Sequence, residues 1–150
     1  MRERPDHHDA ELLLRLYDLR REEKLRQGRE WFVKEFHAKT FEEIGQRWPM
    51  GSQGNAFYRM VVSYWEMAAS IVNQGLIKEE FFFENTAEFF LVWERVKPIV
   101  PAARASRKNP LLWSNLETLA GKYEKWMNNR APGALETFRK LVVEAAPGRS

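Results

Sequence analysis

Three histidines, His7, His8 and His37, are the side chains of this 150-residue chain that ordinarily change charge near neutral pH. His7 and His8 are adjacent, so on a helix they point apart and suit no single metal ion. His37 falls at the end of a helical stretch, where a protonated imidazole would sit well against the C-terminal dipole. The glutamates offer a second chemistry. A di-iron bundle takes Glu-x-x-His from two helices and a further glutamate from each of two others, and no Glu-x-x-His occurs in this sequence. Glu84 and Glu88 do share a helix face at i,i+4, and Glu66 on the preceding helix could approach them. An enzyme using Glu66, Glu84 or Glu88 needs a cleft where they converge. The simpler reading makes all three rim or solvent carboxylates, paired with Arg59 or Arg95.

Nucleophilic catalysis finds little support. Cysteine is absent, which removes thiol nucleophiles, disulfides and cysteine metal sites together. Ser52, Ser63, Ser70, Ser106 and Ser114 have no histidine within helical reach to act as base. Residues 51–55, Gly-Ser-Gln-Gly-Asn, precede a helix with Arg59 one turn in, an arrangement that could hold an anion. The stretch lacks the Gly-Lys-Ser/Thr ending of a phosphate loop and reads as a loop with a helix cap. No catalytic residue, metal site or cofactor is assigned.

One stretch faces outward. Residues 95–116 contain no acid but hold Arg95, Lys97, Arg104, Arg107 and Lys108. The helix after this run opens Pro-Leu-Leu-Trp-Ser-Asn-Leu-Glu, which is core-like, so specific nucleic-acid reading is not expected. Arg104, Arg107 and Lys108 remain candidates for weak attraction to an acidic protein, a phosphate-bearing ligand or an anionic surface. They are expected to add little to stability.

The elements that carry these residues read as helices throughout. The sequence is 44% hydrophobic and 30% charged, the balance of a soluble globular protein, and its net charge of +3 is mild. Residues 1–150 are expected to form one helical domain, with 1–8 a mobile terminus and 146–150 a tail. The opening residues carry no apolar leader and no membrane span follows, so the cytoplasm is the expected compartment. Five of the ten phenylalanines, Phe81, Phe82, Phe83, Phe89 and Phe90, fall in residues 75–100, followed by Leu91, Val92 and Trp93. A helix apolar nearly all round belongs inside a protein. The expected fold is therefore all-α, an aromatic-rich bundle of about five to six helices around a central helix near 78–97.

Asp6 or Asp9 can cap a first helix carrying Leu12, Leu13, Leu16, Tyr17 and Leu19. The economical reading runs it on to Phe36, across the polar run Arg-Arg-Glu-Glu-Lys of 20–24; the competing one breaks it near Gly28. Thr40 and Glu43 form a capping box, and a short helix ends before Pro49. After a loop over 49–55, Phe57, Met60, Val61, Tyr64, Ala68, Ile71 and Val72 mark a helix closed by Gly75. Asn109 and Pro110 have the form of a helix start, and Leu112, Leu116, Leu119, Tyr123, Trp126 and Met127 keep its period. A last short helix carries Leu135, Phe138, Leu141, Val142 and Ala145.

Several runs resemble a known group. Arg-Met-Val-Val-Ser-Tyr-Trp-Glu-Met (59–67), Asn-Gln-Gly-Leu-Ile (73–77), Glu-Phe-Phe-Phe-Glu-Asn (80–85) and Val-Trp-Glu-Arg-Val (92–96) occur in this order in small bacterial helical proteins bearing a domain of unknown function. Leu-Tyr-Asp-Leu-Arg-Arg (16–21) and Asn-Pro-Leu-Leu-Trp (109–113) extend the likeness over most of the chain. The resemblance implies the helical fold and a bacterial origin, and it brings no catalytic residue.

The function expected is that of a non-enzymatic interaction or scaffold module with an unidentified protein partner. The alternative is binding of a small apolar or aromatic ligand between the aromatic-rich helices. A closed core with an exposed apolar patch favours the first, a lined cavity the second. Leu12, Leu13, Leu14 and Leu16 cannot all face one core stripe. Leu14 and Leu25 are therefore placed at a homodimer interface along the first helix, with the 20–24 waist pairing across a two-fold axis.

Overall fold

The computed structural model describes residues 3–145, and every regular element among them is helical. The expected tail, 146–150, and residues 1–2 lie outside the described residues. Helix α1 (His7–Arg20) starts where Asp6 takes extended angles and accepts hydrogen bonds from the amides of His8 and Asp9. Asp9 accepts in return from the Asp6 amide at 2.8 Å, a reciprocal box. His7 and His8, within the terminus expected to be mobile, thus open the first helical turn.

The chain then turns. Arg21 and Glu22 separate α1 from α2 (Glu23–Glu35), so the single helix over 10–36 is not formed and the break is not at Gly28. The polar run 20–24 offers no apolar face to bury, and Glu22 folds back onto the amides of Lys24 and Leu25, at 3.0 and 2.9 Å. Those two amides hold the Glu22 carboxyl below its usual range. Gly28 stays helical because α2 lies close on the next long helix: a Cβ there would come within 3.2 Å of Phe57.

Helix α3 (Phe41–Arg47) is capped by Thr40, whose hydroxyl accepts from the Glu43 amide at 3.2 Å. Glu43 does not complete the box on Thr40; it accepts from the amide of Lys39, one residue earlier. The loop is shorter than expected. Ser52 caps through the Asn55 amide, and α4 (Gln53–Asn73) begins at once. α4 is the pillar of the fold. Phe57, Val61, Tyr64, Trp65, Ala68 and Val72 are buried along it, and Tyr58, Val62 and Ala69 widen the buried stripe. Gly75, with φ +80°, ends the following turn.

The phenylalanine-rich stretch near 78–97 is two helices, α5 (Glu79–Asn85) and α6 (Glu88–Val96), separated at Thr86 and Ala87. A straight helix apolar all round would leave one face wet. The break turns both phenylalanine groups inward, so Phe82, Phe83, Phe89 and Phe90 are all buried. Tyr123 sits among them, its ring 5.2 Å from those of Phe83, Phe89 and Phe90.

A 3-10 turn (Lys97–Ile99) carries Pro98 into α7 (Val100–Arg107), with Pro101 in its first turn. Asn109 does not start the next helix. Its side chain accepts from the Leu111 amide, which closes a turn, and α8 (Ser114–Arg130) begins four residues beyond Pro110. Lys108 and Trp113, both left-handed, bracket that turn. Helix α9 (Ala134–Phe138) and a π-helical turn (Arg139–Val143) finish the described chain. One core cluster runs from Leu16 to Leu135 and draws on most of these helices.

Candidate functional site

The carboxylates do not meet. Glu66 accepts from the amides of Asn115 and Leu116, at 3.3 and 2.8 Å, and so serves the N-terminus of α8. Glu88 takes two hydrogen bonds from Arg29, at 2.7 and 2.9 Å, and a third from the Trp65 indole at 3.0 Å. Glu84 is exposed on α5. Among the described residues no three His, Asp or Glu side chains are grouped to hold a metal ion.

The expected arginine partners differ as well. Arg59 donates to Asn55, not to a glutamate. Arg95 is buried without any carboxylate and gives its N–H groups to the carbonyls of Phe32, Phe36, Val142 and Val143, at 2.8–3.0 Å. It thereby closes the C-terminus of α2 and pins the π-helical turn. Burial pulls its pKa down to about 10.

His37 follows from that placement. With Arg95 on the last carbonyls of α2 and Arg47 on the carbonyl of His37 itself, the helix end already holds two cations. Burial first, then Arg95 and Arg47, lowers the His37 pKa to about 4. The ring is neutral at pH 7, and the expected protonated cap is not formed. Its buried Nε2 has no hydrogen-bond partner among the described residues.

A cleft of about 190 Å³ opens where α3, α4, α7 and the 108–113 turn come together. Val62 and Ala103 floor it; Phe41, Tyr58, Leu112 and Trp113 wall it; Arg59 and Arg107 stand at it. Tyr58 is held by stacking on Phe36 at 5.0 Å and meets the Trp113 ring edge-on at 6.3 Å. Burial, partly offset by Arg107, pushes the Tyr58 pKa up to about 12, so its hydroxyl stays protonated. Asn55 donates to the Trp48 carbonyl at 3.0 Å and accepts from Arg59 Nε at 2.8 Å, which fixes that guanidinium. Arg107 has neither hydrogen bond nor ion pair to a described residue, and no acid lines the cleft.

Trp113 takes φ +60°, an uncommon angle for so large a residue. Arg104 holds that turn, donating to the Leu112 carbonyl at 2.9 Å and to Glu117 at 2.9 Å. The three basic candidates are therefore unlike one another: Arg104 is bonded into the fold, while Arg107 and Lys108 are exposed. Sequence reasoning missed Tyr58 and Trp113 as neighbours. The 109–113 motif was legible, but as a helix start, which sends Trp113 elsewhere.

The first helix leaves an apolar face uncovered. Leu14 is 64% exposed and Tyr17 48% on this face, while the exposed Leu19 lies on another side of the helix. A groove of about 280 Å³ runs beside this face, lined by Leu13, Leu14, Tyr17, Arg20, Asn85 and Thr86. Leu25 is not part of it: the side chain is 7% exposed and belongs to the core. The turn after α1 directs Leu25 inward, a consequence of the break at Glu22.

Among the described residues no helix is long and apolar enough to cross a membrane. A family model described as "Domain of unknown function (DUF4760)" matches residues 5–126, which takes in α1 and every residue of the cleft. No curated protein and no solved structure matches the chain.

Proposed function

The chain belongs to the DUF4760 family, and on that premise we propose that it is a non-enzymatic helical interaction module that pairs with a second copy of itself through α1. The observation that carries this reading is the uncovered apolar face of α1, Leu14 with Tyr17, which lies along a groove. Apolar surface removed from water contributes about 25 cal/mol per Å², so covering these side chains favours association. Antiparallel packing is the arrangement proposed, because it sets the dipoles of the two copies of α1 against each other. The pairing is not extended to the 20–24 waist as a self-complementary unit, because its Glu22 is engaged with its own helix. The paired surface would present the module to a further protein partner, and the setting proposed is the bacterial cytoplasm.

Sedimentation equilibrium tests this reading. The intact chain should behave as a dimer at about 50 μM, above the micromolar Kd of a modest interface. Leu14→Glu with Tyr17→Glu should be a folded monomer. A monomeric intact chain contradicts the proposal. Leu25→Glu is not an interface probe, since it would bury a charge in the core.

The cleft supports a second reading, binding of a small apolar or aromatic ligand between α4 and α7. Its specific support is the strained Trp113 set edge-on to Tyr58 over a floor of Val62 and Ala103.

A further inference from the structure

We infer that the cleft between α4, α7 and the 108–113 turn takes a small single-ring aromatic carboxylate; this rests on the ligand-binding reading and adds the charge and size of the ligand. Size comes first. An apolar cavity of about 150 Å³ admits benzene, whereas drug-sized ligands occupy about 300 Å³ or more. At about 190 Å³ this cleft suits one ring and a small substituent.

Shape and chemistry come next. Tyr58 and Trp113 meet edge-on at 6.3 Å and 79°, already in contact, so a ring entering the cleft packs against this pair and is offered the face of one and the edge of the other. Phe41 and Leu112 extend the apolar wall. Two guanidinium groups, Arg59 and Arg107, stand at this cleft without an acidic residue among its lining. Arg59 is aimed by Asn55 through Nε, which leaves its terminal N–H groups free of any described partner. Guanidinium recognises a carboxylate in a planar, two-pronged manner that a point cation does not reproduce.

The left-handed backbone at Trp113 is consistent with a site held ready. The bond from Arg104 to the Leu112 carbonyl fixes the turn that carries the indole. Arg104 is thus a positioning residue and Arg107 a binding one. Their separate roles explain why an acid-free stretch contains arginines of opposite structural standing.

The experiment is a titration of the intact chain with benzoate, benzyl alcohol and acetate, followed by the indole N–H resonances of its six tryptophans. Benzoate should shift the Trp113 resonance saturably. Benzyl alcohol, which keeps the ring, and acetate, which keeps the charge, should bind about tenfold more weakly or less, the effect of losing a charge-assisted bond or the ring contact. Arg107→Gln should weaken benzoate about tenfold and leave benzyl alcohol unchanged. Arg59→Lys, which keeps the charge but not the fork, should weaken benzoate to a smaller extent. Equal affinity for benzoate and benzyl alcohol would overturn the carboxylate assignment while leaving an aromatic pocket. Absence of saturable shifts at Trp113 with all three would overturn both.

Discussion

Arg95 and Arg107 belong to the same acid-free stretch, and the fold treats them in opposite ways. Arg95 is buried and gives its N–H groups to four backbone carbonyls, two at the end of α2 and two in the π-helical turn. Arg107 stands exposed at the cleft with no described partner. The difference lies in where each helix points. α6 is interior along most of its length, so its arginine must find acceptors there, and unpaired helix-end carbonyls are the acceptors at hand. α7 lies along the surface, so its arginine can remain hydrated. A cation without an acidic partner is thus a clamp in one region and an available group in the other.

The ordinary core sets the scale against which this contrast can be broken. Phe89→Ala, in the packing around Tyr123, should cost about 3–5 kcal/mol in a urea unfolding series. A loss under about 1 kcal/mol would show that α6 is peripheral. Arg95→Met should follow at about 2–4 kcal/mol, because carbonyls of α2 and the π-helical turn are left without a donor in a buried place. A neutral Arg95→Met would erase the distinction between the two arginines.

The same clamp predicts a pH dependence. His37 has a folded pKa of about 4 against an ordinary 6.5, through burial and then Arg95 and Arg47. The folded pKa is depressed, so between these values the unfolded chain binds the extra proton. The stability contributed is complete above about 6.5 and is lost as the pH falls toward 4. Glu43, Glu94, Lys39, Arg47 and Arg95 face the same groove, so the reading must come from a difference. His37→Gln should flatten the fall in urea midpoint across that window relative to the intact chain, and identical profiles would remove His37 from the account.

The smallest effects lie along α7. Arg104→Gln should cost about 0.5–1.5 kcal/mol, through its bond to the Leu112 carbonyl. Arg107→Gln with Lys108→Gln should stay within about 0.5 kcal/mol of the intact chain. Unfolding of the two variants side by side separates them. Three equal residues, as a solvated run would give, would contradict the described geometry.

Much of the fold is legible in local patterns. The Asp6 cap, one of two that the sequence offers, the Thr40 cap of α3, the period of α8 and the αL glycine at 75 depend on neighbours a few residues apart. The break at Thr86 is less legible, because it arises from turning two phenylalanine groups toward one core. Leu25 reads as off-face only if α1 continues past Glu22; once the chain turns there, the same leucine is interior. Arg95 and the cleft depend on residues distant in sequence, Phe32 and Val142 in one case and Tyr58 and Trp113 in the other. No spacing rule in a single sequence joins such pairs.

Pairing through α1 is tested most directly by a thiol placed on it. The chain has no cysteine, so Leu14→Cys introduces one unique thiol. A disulfide needs Cα atoms about 4.4–6.8 Å apart, which an antiparallel pair crossing near Leu14 provides. Leu111→Cys, at a leucine 71% exposed on the 108–113 turn, is the control. Under mild oxidation at about 50 μM, above a micromolar Kd, Leu14→Cys should form a covalent dimer quickly and nearly completely, and Leu111→Cys only slowly. Equal slow rates for the two variants would contradict an α1 interface.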